Sequence, residues 1–380
     1  MSERDFHGGS RPFVARVLRA FPVAETLRWF ASLGVELKLE ETGKYFPVTD
    51  DAQTVLDALL RAVVRAGVDL RHGARVVRLE RRAGGGFRLG VQTVRSAAAF
   101  DAGKVKGPRK HAWVLPAVEP DAWLDADRVV LATGGLSFPR TGSDGTGYGL
   151  VTALAHTLEP PVPALTPLTA SDDWCREAQG VTVDAALTLR VDHRKVATTH
   201  GSLLLAHFGY SGPAALDLSR HWHRAEGAGE RRLEASFTPG ETRERLTAAW
   251  LAAGRAEPRR MVRRWLTERV PERLADLLCR DTGVEPVERL GQVDRARRER
   301  LLGLLVARPL HVTGTLGYEK AEVTAGGVRL AEVNPSTLES RLAPGLHLCG
   351  EILDAEGRLG GFNFQWAWSS GTVAGRAAGR

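Results

Sequence analysis

The stretch HLCGEILDAEGRLGGFNFQWAWSSGTVAG, His347 to Gly375, decides how this chain is read. Its first residues continue a short apolar strand, Leu346–Cys349, that ends in Gly350-Glu351. Glycine at a strand end lets main chain approach a bulky ligand closely. A carboxylate beside it can accept hydrogen bonds from hydroxyls such as those of a ribityl chain. Gly360-Gly361 then opens a helix over residues 363–377. A helix N-terminus carries unpaired N–H groups and about half a positive charge. That suits a pyrophosphate, or the N1–C2=O edge of a reduced flavin, where negative charge accumulates. The plain alternative is a glycine turn capping a C-terminal helix.

A second segment weighs against the plain alternative. RVVLATGGLSFPRTGSDGTGYGL, residues 128–150, runs a buried strand into Thr133-Gly134-Gly135 and then a glycine-rich loop. A strand ending in paired glycines lets the main chain pass beside a dinucleotide. The loop has no G-x-x-x-x-G-K-[ST] spacing and is not a P-loop.

Composition bounds the rest. At 380 residues the chain is long enough for two or three domains. A hydrophobic share of 43% and a charged share of 26% are those of a soluble globular protein. No apolar run reaches the roughly 18 residues of a membrane span. The opening MSERDFHGGSRPF has neither the apolar core nor the cleavage pattern of a secretory signal. Cys175, Cys279 and Cys349 are odd in number, far apart and outside metal spacing, which argues for a reducing cytoplasm and against zinc. A net charge of +7 would tolerate an anionic partner. The 45 arginines and seven lysines are spread beside acids, however, with no aromatic-interleaved stripe, so nucleic acid is disfavoured.

Along the chain, residues 12–33 read as helical with a break near Pro22 and a stop at Gly34. Residues 35–48 alternate like a strand pair around Thr42-Gly43, and Asp50 or Asp51 caps a helix over 52–67. Short strands with a glycine turn fill 68–91, residues 92–125 read as loop, and 126–135 as a buried strand. From about 160 a proline-rich connector precedes short strand-like pieces at 171–238. Residues 239–306 are the most helical part, and 319–333 return to strands.

Four of these stretches carry a resemblance in order: VLATGGLSFPRTGSDGTGYGLVTALAHTLEPPVPALTPL, HFGYSGPAALDLSR, VTAGGV and GEILDAEGRLGGFNFQWAWSSGTVAG. Together they resemble the BaiN-like (YhiN-like) family of FAD-dependent oxidoreductases. The resemblance implies an α/β flavoprotein of the two-dinucleotide-binding type. Its Rossmann-like FAD domain would comprise residues 1–160 and 313–380, interrupted by an inserted β-rich domain at 161–238 and a small helical domain at 239–312. By position, Thr133, Gly134 and Gly135 would line FAD. Gly350 and Glu351 would sit at the pyrophosphate and ribityl chain, with Asp354 in the same turn. Gly360, Gly361, Asn363 and Gln365 would face the flavin ring, and the main chain at Val76 would meet the adenine. NAD(P)H is the implied electron donor. Arg140, Thr141, Ser143 and Tyr148, on the loop after Gly135, are candidates to touch a small-molecule substrate, as is His207. The family pattern around that histidine resembles F-T-H-x-G-x-S-G-P, from which Leu205 and Ala206 depart. Ser211-Gly212-Pro213 is not G-x-S-x-G, which discounts hydrolase chemistry. Family members have been linked both to reduction of conjugated, steroid-like enones and to amine oxidation, so the substrate does not transfer.

One departure is large. Such proteins begin with strand, G-x-G-x-x-G, helix and strand, followed by an acidic residue for the ribose. The first 70 residues here hold only Gly8-Gly9, Gly34, Gly43 and Gly67, none in that spacing. Two expectations follow: an N-terminally truncated chain, the favoured reading, or a family member with weak or no FAD binding. In either case the parallel sheet would lack a central strand and expose its neighbours' edges, at a cost in solubility or flavin affinity.

Overall fold

Pro12 and Pro22 set the first two helices: proline is tolerated in a first turn but not in an interior. The computed structural model, which describes residues 1–41, 43–94, 113, 115 and 118–380, follows that punctuation. Strand β1 (Phe6–Gly8) leads into α1 (Arg11–Ala20) and α2 (Val23–Ser32), with Gly34 in the left-handed region just beyond. A hairpin of β2 (Leu37–Leu39) and β3 (Tyr45–Pro47) comes next; its expected turn residue Thr42 lies outside the described residues. Helix α3 (Ala52–Arg65) starts where Asp51 accepts the main-chain N–H of Gln53 at 2.9 Å. Strands β4 (Ala74–Arg81), β5 (Phe87–Thr93) and β6 (Ala122–Ala126) form an antiparallel sheet in that order. The loop expected at 92–125 lies mostly outside the described residues, and its last part is the strand β6. Strand β7 (Val129–Leu131), helix α4 (Thr146–Ala153) and strand β8 (Leu158–Ala164) follow.

The chain then builds β9 (Leu168–Ala170), α5 (Trp174–Glu177), β10 (Thr182–Val191), β11 (Arg194–Ala206), β12 (Gly209–Ser211), α6 (Pro213–Arg224) and β13 (Arg231–Ser236). Helices α7 (Arg243–Ala256), α8 (Val262–Thr267), α9 (Glu272–Thr282) and α10 (Arg295–Ala307) precede β14 (Arg308–Leu310) and β15 (Val312–Thr315). The last elements are β16 (Val323–Val328), β17 (Leu346–Leu348), β18 (Ala355–Gly357) and α11 (Phe362–Ala378).

Two units result: Met1–Val162 with Val323–Arg380, and Pro163–Glu322. In the second, seven strands in the order β14-β13-β10-β11-β12-β9-β15 pair antiparallel throughout. One apolar core joins this sheet to the helices, with Leu187 and Leu203 from strands and Trp222, Trp250, Trp265 and Leu301 from helices. The strand-like reading of 171–238 misses α6. Gly212-Pro213 starts that helix, and Ala214, Ala215, Leu218 and Trp222 bury one face at helical spacing.

In the first unit β7 pairs in parallel with β17, Val129 opposite Leu346 and Leu131 opposite Leu348. Among the described residues β7 has no second strand neighbour. Strand β1 pairs antiparallel with β18, which joins the two ends of the chain. Helix α11 packs on α1 and α2. Gln365 clamps them: its amide donates to the Phe21 carbonyl at 3.0 Å and to Ser369 Oγ at 2.9 Å, and accepts from Thr26 Oγ1 at 3.0 Å. Helix α3 buries only Ala58 and leaves Leu56, Leu60 and Val64 exposed, one stripe at a spacing of four. No helix among the described residues is long and apolar enough to cross a membrane.

Candidate functional site

The strand end at Leu131 and the strand end at Leu348 lie side by side because β7 and β17 are parallel and in register. Ligands of open α/β sheets bind beyond the carboxyl ends of such strands. The turns that follow meet closely. A Cβ built on Gly135 would lie 2.5 Å from Thr324 Oγ1 and 2.7 Å from Glu351 Oε1, nearer than real Cβ atoms come. Thr324, in the fully buried strand VTAGGV, holds both sides: its N–H donates to Glu351 Oε1 at 2.8 Å and its Oγ1 accepts the Leu136 N–H at 2.8 Å. Burial pushes the half-buried Glu351 carboxyl above its usual range, against the lowering pull of the bonds from Thr324.

Gly350 couples this point to α11. Its N–H donates to Ser370 Oγ at 2.9 Å, and its carbonyl accepts the Trp366 indole N–H at 3.0 Å. At the start of α11, Gly361 is the N-cap at φ 83°, and no side chain caps the helix. Gly350, at φ 76°, and Gly361 share a second property: a Cβ built on either meets nothing within 4 Å. Main-chain N–H groups beside open space at a helix N-terminus make an anion-binding cradle. The N–H groups at the start of α11 fit the oxygens of a pyrophosphate or the carbonyl edge of a flavin, whereas the Gly350 N–H is already given to Ser370.

Beside β7 runs a groove of about 400 Å³. Val76, Leu79 and Leu89 line one side, residues 129–133 another, and Gly147 approaches Thr133 so closely that a Cβ would sit 1.9 Å from its Oγ1. Arg75 also lines the groove; it is ion-paired with Asp144 and donates to Thr146 Oγ1 at 2.9 Å. An apolar slot edged by main chain and a guanidinium fits the adenosine part of a dinucleotide.

The structure thus brings Gly135, Glu351 and Gly350 together, and places Val76 and Thr133 in one groove. Other sequence candidates are engaged differently. Asp354 Oδ2 accepts the Gly9 N–H at 3.1 Å, so the Gly8-Gly9 pair lets β1 cross closely over that turn. The Asn363 amide makes two bonds to the main chain of Gly357, at 2.7 and 2.9 Å, and closes the turn between β18 and α11. Gln365 is the clamp described above. Tyr148 is fully buried, with its ring 5.2 Å from Trp113. Ser143 abuts Gly134, Thr141 Oγ1 donates to the Phe138 carbonyl at 2.8 Å, and Arg140 is exposed. His207 lies in the second unit, exposed on the turn between β11 and β12. Sequence reasoning missed Thr324, whose partners are more than 25 residues away.

One further constellation invites a different chemistry. His156 Nε2 meets Ser340 Oγ at 2.8 Å, and its Nδ1 meets Glu332 Oε2 at 2.8 Å. Serine, histidine and carboxylate in this order form a hydrolytic triad when the serine is open to substrate. Here Ser340 and His156 are buried, and Ser340 Oγ already accepts N–H groups of Leu342 and Ala343 at 3.0 and 2.8 Å. The serine therefore turns its own proton toward His156, and the trio ties three loops together.

Paired strand ends, tight glycine turns and an uncapped helix terminus thus come together in one unit of a mixed α/β protein. The chain belongs to the HI0933-like family: the model of the HI0933-like protein Rossmann domain matches residues 104–377. It is 33% identical over 374 residues to the 3-dehydro-bile acid delta(4,6)-reductase of Clostridium scindens, covering 98% of this chain and 84% of that relative. It is 30% identical over 269 residues to the ribosomal RNA dihydrouridine synthase of Haemophilus influenzae, covering 70% of this chain and 63% of the relative. To the protein of the same name from Escherichia coli it is 33% identical over 251 residues, covering 65% and 59%. The chain thus spans less than two thirds of the length of either synthase.

Proposed function

We propose that the chain is an FAD-dependent oxidoreductase that reduces a carbon–carbon double bond conjugated to a carbonyl, with NAD(P)H as electron donor. The observation that carries this reading is the meeting of Gly135, Thr324 and Glu351 beside Gly350, which is tied in turn to α11. The names of the relatives support the substrate class. A 3-dehydro, delta(4,6) compound and a uridine each contain a double bond conjugated to a carbonyl, and each name describes its saturation. The bile-acid relative aligns with nearly the whole chain, which favours a small cyclic enone over RNA.

Bound FAD supplies a reversible hydride carrier, and the chemistry of the transfer is the cofactor's own. The protein's share is to hold and orient. Thr133 and the groove at Val76 would take the adenosine part, and the Gly350 turn with Glu351 the pyrophosphate and ribityl oxygens. The N-terminal N–H groups of α11 would face the ring edge on which negative charge develops. Overall, one hydride leaves NAD(P)H for the β-carbon of the enone, and one proton reaches its α-carbon.

The test incubates the purified chain with FAD, NADH or NADPH and a 3-oxo-4-ene steroid, and follows loss of the enone absorbance. Nicotinamide- and flavin-dependent loss is expected. A chain that binds FAD but leaves the enone intact would confine the proposal to flavin binding. One that reduces only uridine in RNA would move the substrate to nucleic acid.

A further inference from the structure

We infer that Thr324 is the positioning residue of the flavin site, its hydroxyl setting the loop after β7 against Glu351; this rests on the FAD reading above.

The geometry calls for a hydroxyl at position 324. Thr324 is 1% exposed. Its main-chain N–H is committed to Glu351 Oε1 at 2.8 Å. Its Oγ1 accepts the N–H of Leu136 at 2.8 Å and lies 3.1 Å from Ser137 Oγ. The one side chain therefore fixes two consecutive residues of the loop that starts at Gly134-Gly135, while its main chain fixes the carboxylate. The loop needs that restraint. Phe138, the next residue, is held in the left-handed region at φ 50°, a conformation bulky side chains avoid unless their surroundings impose it. The glycines that surround Thr324 are tight for the same reason. Gly135 has no room for a Cβ against Thr324, and a Cβ on Gly327 would lie 2.4 Å from the Ile352 carbonyl oxygen. Strand β16 is thus wedged between the two turns that would carry FAD, with the Thr324 hydroxyl at the wedge point.

Two variants separate positioning from packing. Thr324→Val keeps the shape and removes the hydroxyl, leaving the buried Leu136 N–H without an acceptor. Thr324→Ser keeps the hydroxyl and removes the buried methyl. FAD affinity by equilibrium titration, apo-protein melting temperature and hydrogen exchange of peptides spanning 133–141 are measured on both. Positioning requires that Val weaken FAD about tenfold or more, since an unmade buried hydrogen bond is worth about one factor of ten. It also requires that Val speed exchange in 133–141, while Ser binds FAD within about threefold of wild type despite its lost methyl. If FAD affinity follows melting temperature in both variants, Thr324 is only a packing residue and the inference fails. If the wild-type chain takes up no FAD, the flavin reading fails instead. The clamp then stands or falls on exchange alone, and unchanged protection in Thr324→Val overturns it.

Discussion

Gly135 lies so close to Glu351 that a Cβ on it would stand 2.7 Å from Oε1. The same Cβ would stand 2.5 Å from Thr324 Oγ1. None of these neighbours is the free end of an exposed side chain. Gly135→Ala is therefore expected to cost about 1–3 kcal/mol, the usual range for overpacking a filled site. It should also weaken FAD, because the strain falls on the turn that would hold it. Denaturant unfolding and a flavin titration check this; a variant with wild-type stability would show that the turn has slack.

Glu351 gives a pH dependence whose sign is fixed. Burial raises its carboxyl in the fold above the ordinary 4.5 of a glutamate. The native state then holds a proton that the unfolded chain has released, so stability is highest below 4.5 and falls as pH rises toward the native value. Glu351→Gln removes the ionisation while its carbonyl can still accept from Thr324. The stability difference, glutamine minus glutamate, is expected to grow from about pH 4.5 upward. A difference that stays constant with pH would contradict the assignment.

Ser340 is expected to be structural. Ser340→Ala leaves the N–H groups of Leu342 and Ala343 without their side-chain acceptor and should cost about 1–3 kcal/mol, with FAD affinity unchanged. A fluorophosphonate should not label the native protein. Labelling at Ser340 would mean that the Ser340–His156–Glu332 trio opens to solvent.

The thiols should be silent. Burial pushes Cys175 and Cys349 up to about 11 and Cys279 up to about 12, and all three are buried and free. The native protein is expected not to react with a disulfide reagent at neutral pH, and to release three equivalents once unfolded. Fast reaction of the native Cys349 would place a reactive thiol beside the Gly350 turn.

Much of the fold is legible because its signals are local. The Asp51 cap and the apolar spacing mark α3, Pro22 marks the break between α1 and α2, and Gly361 marks the start of α11. The glycine turns of the site are legible for the same reason, since a close approach needs glycine whatever lies opposite. What lies opposite is not. Thr324 sits 188 residues from Leu136, and Gly9 sits 345 from Asp354. No periodicity reports such distances. The family resemblance sets Asn363 and Gln365 toward the flavin ring; in the fold the Asn363 amide closes a turn and the Gln365 amide bridges helices, partners that no local pattern announces. The exposed stripe on α3 was equally unreadable: Leu56, Leu60 and Val64 have the spacing of a buried face.

The turns after β7 and β17 and the start of α11 are proposed to hold one FAD together. Equilibrium titration of the purified chain with FAD, followed through the long-wavelength flavin band, with FMN and AMP alongside, tests it most directly. Saturable binding of one FAD, tighter than FMN and competed by AMP at the groove beside Val76, is the expected result. A flavin spectrum that never changes at any protein concentration, or FMN bound as tightly as FAD with no competition by AMP, would contradict it.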